Sequence, residues 1–224
     1  MPRIPGLTIS LWLLVATAAS GQVDPFAQDD AKVLAIELSD SLLAPPELTA
    51  RIERDLEAIR AVDPRMASVH VFPEWSLGTL VVGLEENAFD DFVSGRFAAM
   101  DSLNAVYGAD NVEEFRRGGW LYVTFSRPYN PRVLAPVYAA LPGVSWAEPN
   151  YGYGDGNDLY STVVGTYTFK VGWGEDCMCG CSYKHFWTYS VVEGVVTLVA
   201  EWGAPTAVHG ATWGRLKAAA DEAD

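Results

Sequence analysis

All three cysteines of this 224-residue chain lie between Cys177 and Cys181, inside the stretch GWGEDCMCGCSYKHFW that runs from Gly172 to Trp187. This clustering constrains the fold strongly. No disulfide within the chain can join distant segments, so an apolar core must hold the remaining residues together. Closing so short a loop stabilises by only about 2 kcal/mol in the loop-entropy picture, enough to order the loop and no more. Half of the residues are hydrophobic, which suffices for one large or two small domains with cores of their own.

The N-terminus has the form of an export signal. Arg3 supplies a positive start, Leu7 to Ala19 is largely apolar, and Ala16, Ala18 and Ser20 are the small residues a signal peptidase needs. The apolar run is short for a membrane span, and no later segment is long and apolar enough to be one. Residues 1–20 are therefore expected to be a signal peptide, and the mature chain to be secreted or periplasmic. The formal net charge of −14 argues against nucleic acid, whose phosphates need clustered Lys and Arg. It argues equally against an anionic membrane surface, and fits an exported chain kept soluble by its charge.

Residues 21–67 are expected to form an N-terminal arm with a short strand and a helix. KVLAIEL (Lys32 to Leu38) alternates as a strand would. Pro45-Pro46 opens a helix in which Leu48, Ile52, Leu56 and Ile59 share one face, and Asp63-Pro64 ends it. Thr79 to Leu84 reads as a strand. A helix capped by Asn87 is expected next, with Phe89, Phe92, Val93, Phe97, Met100 and Leu103 turned inward, weakened at Gly95 and ended at Gly108. Val112 to Arg117 and Trp120 to Ser126 read as strands around Gly118-Gly119. Asn130-Pro131 opens a further helix containing an awkward Pro136. Val144 to Ala147 reads as a short strand. Strand, helix, strand, strand, helix, strand over 68–151 is the order of a ferredoxin-like sandwich.

A Gly/Asp linker is expected over 152–160, with Asp155, Asn157 and Asp158 offering oxygen ligands but not at EF-hand spacing. Residues 161–203 read as a three-stranded antiparallel β-meander. In it Tyr167, Phe169, Val171 and Trp173 alternate with polar neighbours, as do His185, Trp187, Tyr189 and Val191. Residues 204–224 form a polar tail. The fold class is thus α+β: a ferredoxin-like βαββαβ sandwich followed by a disulfide-stapled meander.

The cysteine loop admits three chemistries. Cys177, Cys179, Cys181 and His185 supply the count for a closed zinc site, but three alternating cysteines are poorly spaced for one. A thiol-redox centre wants Cys-x-x-Cys at a helix start, and that spacing is missing. A staple from Cys177 to Cys181, with Gly180 easing the turn, fits best. Cys179 is then an odd thiol, free or paired with another chain.

Two resemblances bear on these readings. LPGVSWAEPNY (Leu141 to Tyr151) resembles the end of subtilisin-type propeptides and related protease inhibitors. The likeness spans at most 68–151, and no protease domain follows. It implies binding to a subtilisin-like protease through the sheet, with Glu148, Pro149, Asn150, Tyr151 and Tyr153 at the contact and the segment after Asn150 entering the protease groove as an extended strand. GWGEDCMCGCSYKHFW is similar to a C-terminal segment of certain exported bacterial proteins of unknown function. That segment runs Gly-Trp-Gly-Asp-Cys-x-x-Gly-Cys and then a His or aromatic pair and a Trp. Asp176, Cys177, Gly180, Cys181, His185 and Trp187 take those places here, while Cys179 falls on a variable position. This likeness supports the staple and carries no activity.

No GxSxG elbow, HExxH or phosphate-cradling glycine loop occurs. No catalytic residue and no cofactor is therefore expected. Trp173, Trp187, Trp202 and Trp213 invite a carbohydrate platform, against the simpler reading that large aromatics fill a small β core. The function expected is that of an exported, non-catalytic protein-binding module, a protease inhibitor or propeptide-like chaperone. A metal or thiol-redox protein and a carbohydrate-binding module are the alternatives. Nothing in the sequence sets the oligomeric state.

Overall fold

A computed structural model describes residues 29–72, 74–116, 119–152, 156–174, 177 and 180–206. The signal segment 1–20, Tyr153, Asp155, Cys179 and the tail beyond Thr206, including His209 and Trp213, lie outside the described residues.

The described chain opens with a helix where a strand was expected. Helix α1 (Asp30–Ser39) starts at Asp29, whose side chain accepts from the Lys32 N–H, and stops at a left-handed Asp40. Ala31, Val33, Leu34, Ala35 and Ile36 are all buried. A helix apolar nearly all round has no polar stripe to betray its 3.6-residue period, so a short apolar run looks equally like a strand. Helix α2 (Pro46–Val62) matches expectation: Pro46 sits in the first turn, and Ile52, Leu56 and Ile59 are buried on one face. A 3₁₀ turn (Pro64–Ser68) follows.

The first sheet comprises β1 (Trp75–Leu84), β2 (Ala109–Arg116), β3 (Trp120–Phe125) and β4 (Val144–Tyr151), in the order β2-β3-β1-β4 with every pairing antiparallel. Helices α3 (Glu86–Val93), α4 (Ala98–Tyr107) and α5 (Pro131–Ala139) connect them. Leu80, Val82, Leu121, Val123 and Phe125 from the strands share a core with Met100, Leu134 and Tyr138 from the helices. The single helix expected after Asn87 is two helices. Gly95 adopts a positive φ of 69° between them, and the break re-phases the apolar face: Phe97 and Met100 are buried, but Val93 is exposed. Asn87 is not the cap, since Glu85 holds that position. Strand β4 runs past the expected Ala147 to Tyr151. Pro149 is tolerated inside it because β4 is an edge strand, where a missing N–H costs no ladder bond.

The second sheet has four antiparallel strands in sequence order, not the expected three: β5 (Asp158–Val163), β6 (Thr166–Trp173), β7 (Tyr183–Val192) and β8 (Val195–Gly203). The extra strand, DLYSTV, begins inside the expected linker. It is polar and follows a glycine cluster, so it carries no strand pattern of its own. Its pairing with β6, Leu159 opposite Phe169 and Tyr160 opposite Thr168, defines it. Tyr167, Phe169, Trp187, Tyr189 and Val191 face one way, as their alternation predicted, and are buried.

What covers that face is the N-terminal pair of helices. Leu34 and Ala35 of α1, Ile52, Leu56 and Ile59 of α2, and Met66 form one core with Leu159, Tyr167, Phe169, Trp187 and Tyr189. Helices α1 and α2 are therefore half of a layered α+β unit. Polar bonds fix the pairing. Tyr167 donates its hydroxyl to Asp55 (2.7 Å) and Tyr189 donates to Asp63 (2.6 Å). Asp30 accepts from Arg60 (2.6 Å) and from the Val71 N–H (2.9 Å), and lies 2.9 Å from His70 Nδ1, knotting α1 to the end of α2 and the chain beyond it.

Candidate functional site

Three places merit a functional reading: the side of the first sheet turned from its helices, the cleft where the chain crosses between the sheets, and the cysteine loop.

On the first sheet, alternation puts Thr79, Val81 and Gly83 of β1 opposite in sense to the core residues Leu80 and Val82. Gly83 pairs with Trp120 on one side and Trp146 on the other. The two indoles meet edge to face over it, centroids 5.2 Å apart. A Cβ on Gly83 would overlap the Trp146 ring. Glycine here is a close-approach device that lets an indole lie across the strand. Tyr122 and Glu148, the cross-strand partners of Val81, extend the row. Sequence reading placed Trp120 only as a strand residue; the signal available was a glycine inside the apolar run TLVVGL.

The expected partner-binding residues divide. Glu148 belongs to this aromatic side and is exposed, whereas Pro149, opposite Leu80, is buried. Asn150 is half-buried, and Tyr151 is exposed but paired with Trp75. The Gly152 N–H then donates to the Glu74 carbonyl (2.9 Å), and β5 begins at Asp158. Tyr151 and Gly152 are thus tied into the ladder.

Between the sheets lies a cleft of about 450 Å³ lined by Glu37, Phe72, Glu74, Arg132, Asp158 and Tyr160, among others. Burial raises the proton affinity of Glu37, reinforced by the charge of Asp158 and opposed by Arg132. Burial likewise raises that of Asp158, against the pull of the Phe72 N–H (2.9 Å) and of Lys170. Tyr160 is pushed up by burial and then by Asp158. The Ser161 hydroxyl, on the same wall, donates to the Thr166 carbonyl (2.7 Å). Sequence reading missed this group: Glu37 stood on an assumed strand and Asp158 in an assumed linker, and only the tertiary fold brings them together.

In the cysteine loop Cys177 and Cys181 lie at disulfide distance, Cα–Cα 4.1 Å, and Cys181 is buried. His185 is occupied elsewhere. Its Nδ1 lies 2.6 Å from the Ala204 carbonyl oxygen and its Nε2 3.0 Å from Glu201 Oε1. Among the described residues no three His, Cys, Asp or Glu side chains come together as a metal site. Of the tryptophans that invited a carbohydrate platform, the three described ones are dispersed. Trp187 is buried in the core, Trp202 stacks on Phe186 (5.0 Å, 7° between planes), and Trp173 stacks on Tyr183. Tyr183 and Phe186 are three positions apart on β7 and so point to opposite faces.

No family model matches the chain, and neither does any curated protein or solved structure compared with it. The local geometry therefore carries the functional argument. No helix of the described residues is long and apolar enough to cross a membrane. Together with the Cys177–Cys181 pair, this is compatible with an extracytoplasmic location.

Proposed function

We propose that this chain is an exported, non-catalytic protein-binding module that docks its partner on the aromatic side of the first sheet. The observation that carries the reading is the Trp120–Gly83–Trp146 row: two indoles set over a glycine on the sheet side turned from the helix-covered core. Aromatic anchors of this kind supply contact area at little entropic cost and are enriched at binding surfaces. The order β2-β3-β1-β4, antiparallel throughout and with helical crossovers, supports the ferredoxin-like reading of 68–151. The sequential order of β5 to β8 supports the meander reading of the tail. A subtilisin-like protease is the partner class, on the resemblance of LPGVSWAEPNY to propeptide ends. Binding then rests on the sheet surface and not on an inserted strand, since Tyr151 and Gly152 are held in the ladder.

The test is inhibition of subtilisin-like enzymes by the mature chain, with Trp146→Ala and Gly83→Ala beside it. Dose-dependent inhibition that both variants weaken, while they remain folded by circular dichroism, supports the proposal. No inhibition and no measurable complex with the protease removes it.

A further inference from the structure

The cleft between the sheets is built by four segments distant in sequence. Glu37 comes from the end of α1, Phe72 and Glu74 from the chain that crosses to the first sheet, Arg132 from the first turn of α5, and Asp158 and Tyr160 from β5. Its volume of about 450 Å³ lies in the range of small-molecule sites, which favour junctions between structural units. The charges inside it do not balance. Lys170 lies 3.7 Å from Asp158, and Arg132 lies 4.0 Å from Glu74 with its guanidinium over the Trp75 ring. These two pairs leave Glu37 over. Its carboxyl is half-buried, feels Arg132 only as a more distant charge, and accepts no hydrogen bond from a described residue.

We propose that this cleft binds a small organic monocation, an alkylammonium group held by the Glu37 carboxylate with its carbon stem along Phe72 and Tyr160. The chemistry of the walls selects this class. An anion would meet three carboxyls. A bare divalent ion needs several oxygen ligands converging on one point, and among the described residues no three His, Cys, Asp or Glu side chains do so. A neutral molecule leaves the charge on Glu37 uncompensated, whereas an ammonium brings both the charge and N–H donors, in bonds stronger than neutral ones. Phe72 is an exposed aromatic on the same wall, a surface that attracts a cation and covers an alkyl stem. Burial, then the charge of Asp158, and also Glu74, make Glu37 hold a proton more tightly than an ordinary carboxyl, against the pull of Arg132. The site thus favours one added positive charge at this carboxyl, and a ligand can bring it. The cleft shares no residue with the Trp120–Gly83–Trp146 row, so the proposal does not rest on the protease reading.

The mature full-length chain is titrated separately with n-pentylamine, pentanol, glucose and calcium chloride while its backbone amide resonances are followed. Pentylamine should shift the amides of Glu37, Phe72 and Tyr160 and bind at least about tenfold more tightly than pentanol. Glu37→Gln should weaken pentylamine by about tenfold, while Glu53→Gln, exposed on α2, should not. Nα-acetyl-lysine amide distinguishes the sources of the ammonium. Binding as tight as that of pentylamine assigns the cleft to a lysine side chain of a peptide, and exclusion assigns it to a free amine. Three results overturn the proposal. One is no shift of these amides at millimolar pentylamine. Another is binding of pentanol, glucose or calcium at the same amides as tight as that of pentylamine. The third is pentylamine binding that folded Glu37→Gln leaves unchanged. If Glu37→Gln does not fold, the preference of the wild-type chain for pentylamine over pentanol decides alone.

Discussion

The two halves of this molecule reach similar layered architectures by different routes. The first sheet and its helices come from one continuous stretch, Trp75 to Tyr151. The second sheet draws its strands from Asp158 to Gly203 and its helices from Asp30 to Val62, with the whole first unit interposed. The continuous unit is held mainly by apolar packing, with the Tyr138 hydroxyl donating to Asn104 (2.8 Å) as a polar tie. The split unit adds directional bonds at several points: Tyr167 to Asp55, Tyr189 to Asp63, and the knot at Asp30. Apolar contact alone does not choose which helix face meets which strand. A buried hydroxyl that must find its acceptor does. Segments distant along the chain need that specification most, because closing the long loop between them costs entropy before any contact rewards it.

The largest test of this contrast is Leu34→Ala. If α1 were a dispensable arm the melting temperature would not move; as a core helix it should lose about 3 kcal/mol by urea denaturation. Next comes the staple. Replacing Cys177 and Cys181 by serine should cost no more than about 2 kcal/mol, with faster hydrogen exchange confined to the β6–β7 connection; a global collapse would show that the loop carries the second core. Tyr167→Phe should cost about 1 kcal/mol, with a smaller loss in the double variant that also carries Asp55→Ala than the two single losses summed.

The remaining effects concern pH, and their signs are opposed. Arg65 holds the Asp63 carboxyl at about 2, below its ordinary 3.8. Its contribution is therefore present above pH 3.8 and lost as pH falls through about 2. Glu37 behaves in reverse. Burial makes its deprotonation harder in the folded chain, so the charged form costs stability at neutral pH, and the cost vanishes as pH falls toward the ordinary carboxylate value. Glu37→Gln should thus raise the melting temperature at pH 7 and leave it unchanged near pH 4.

Legibility followed the same division. In the continuous unit the strands, the helix opened by Asn130-Pro131 and the stop at Pro142-Gly143 were readable, because each has its own period and turn residues, whereas the helix expected after Asn87 is two, broken at Gly95. The errors arose where a neighbour decided. KVLAIEL is helical because it is buried on nearly every side. DLYSTV is a strand because β6 offers it an edge. Pro149 is a strand residue because nothing described pairs beyond β4. The candidate surface was half legible: Gly83 within an apolar run signalled a close approach, but nothing local said that Trp120 and Trp146 would meet over it.

By itself the sequence determined what depends on neighbours one to four residues away: the amphipathic face of α2, the alternation that buries Tyr167, Phe169, Trp187 and Tyr189, and the closeness of Cys177 and Cys181. Tertiary structure alone decided which helices cover the second sheet, that Asp158 opens a strand, and that Glu37 and Asp158 share a cleft. The reason is physical. Local periods and turns are set by covalent geometry within a few residues, whereas burial and pairing are properties of surfaces that meet only once the chain has folded.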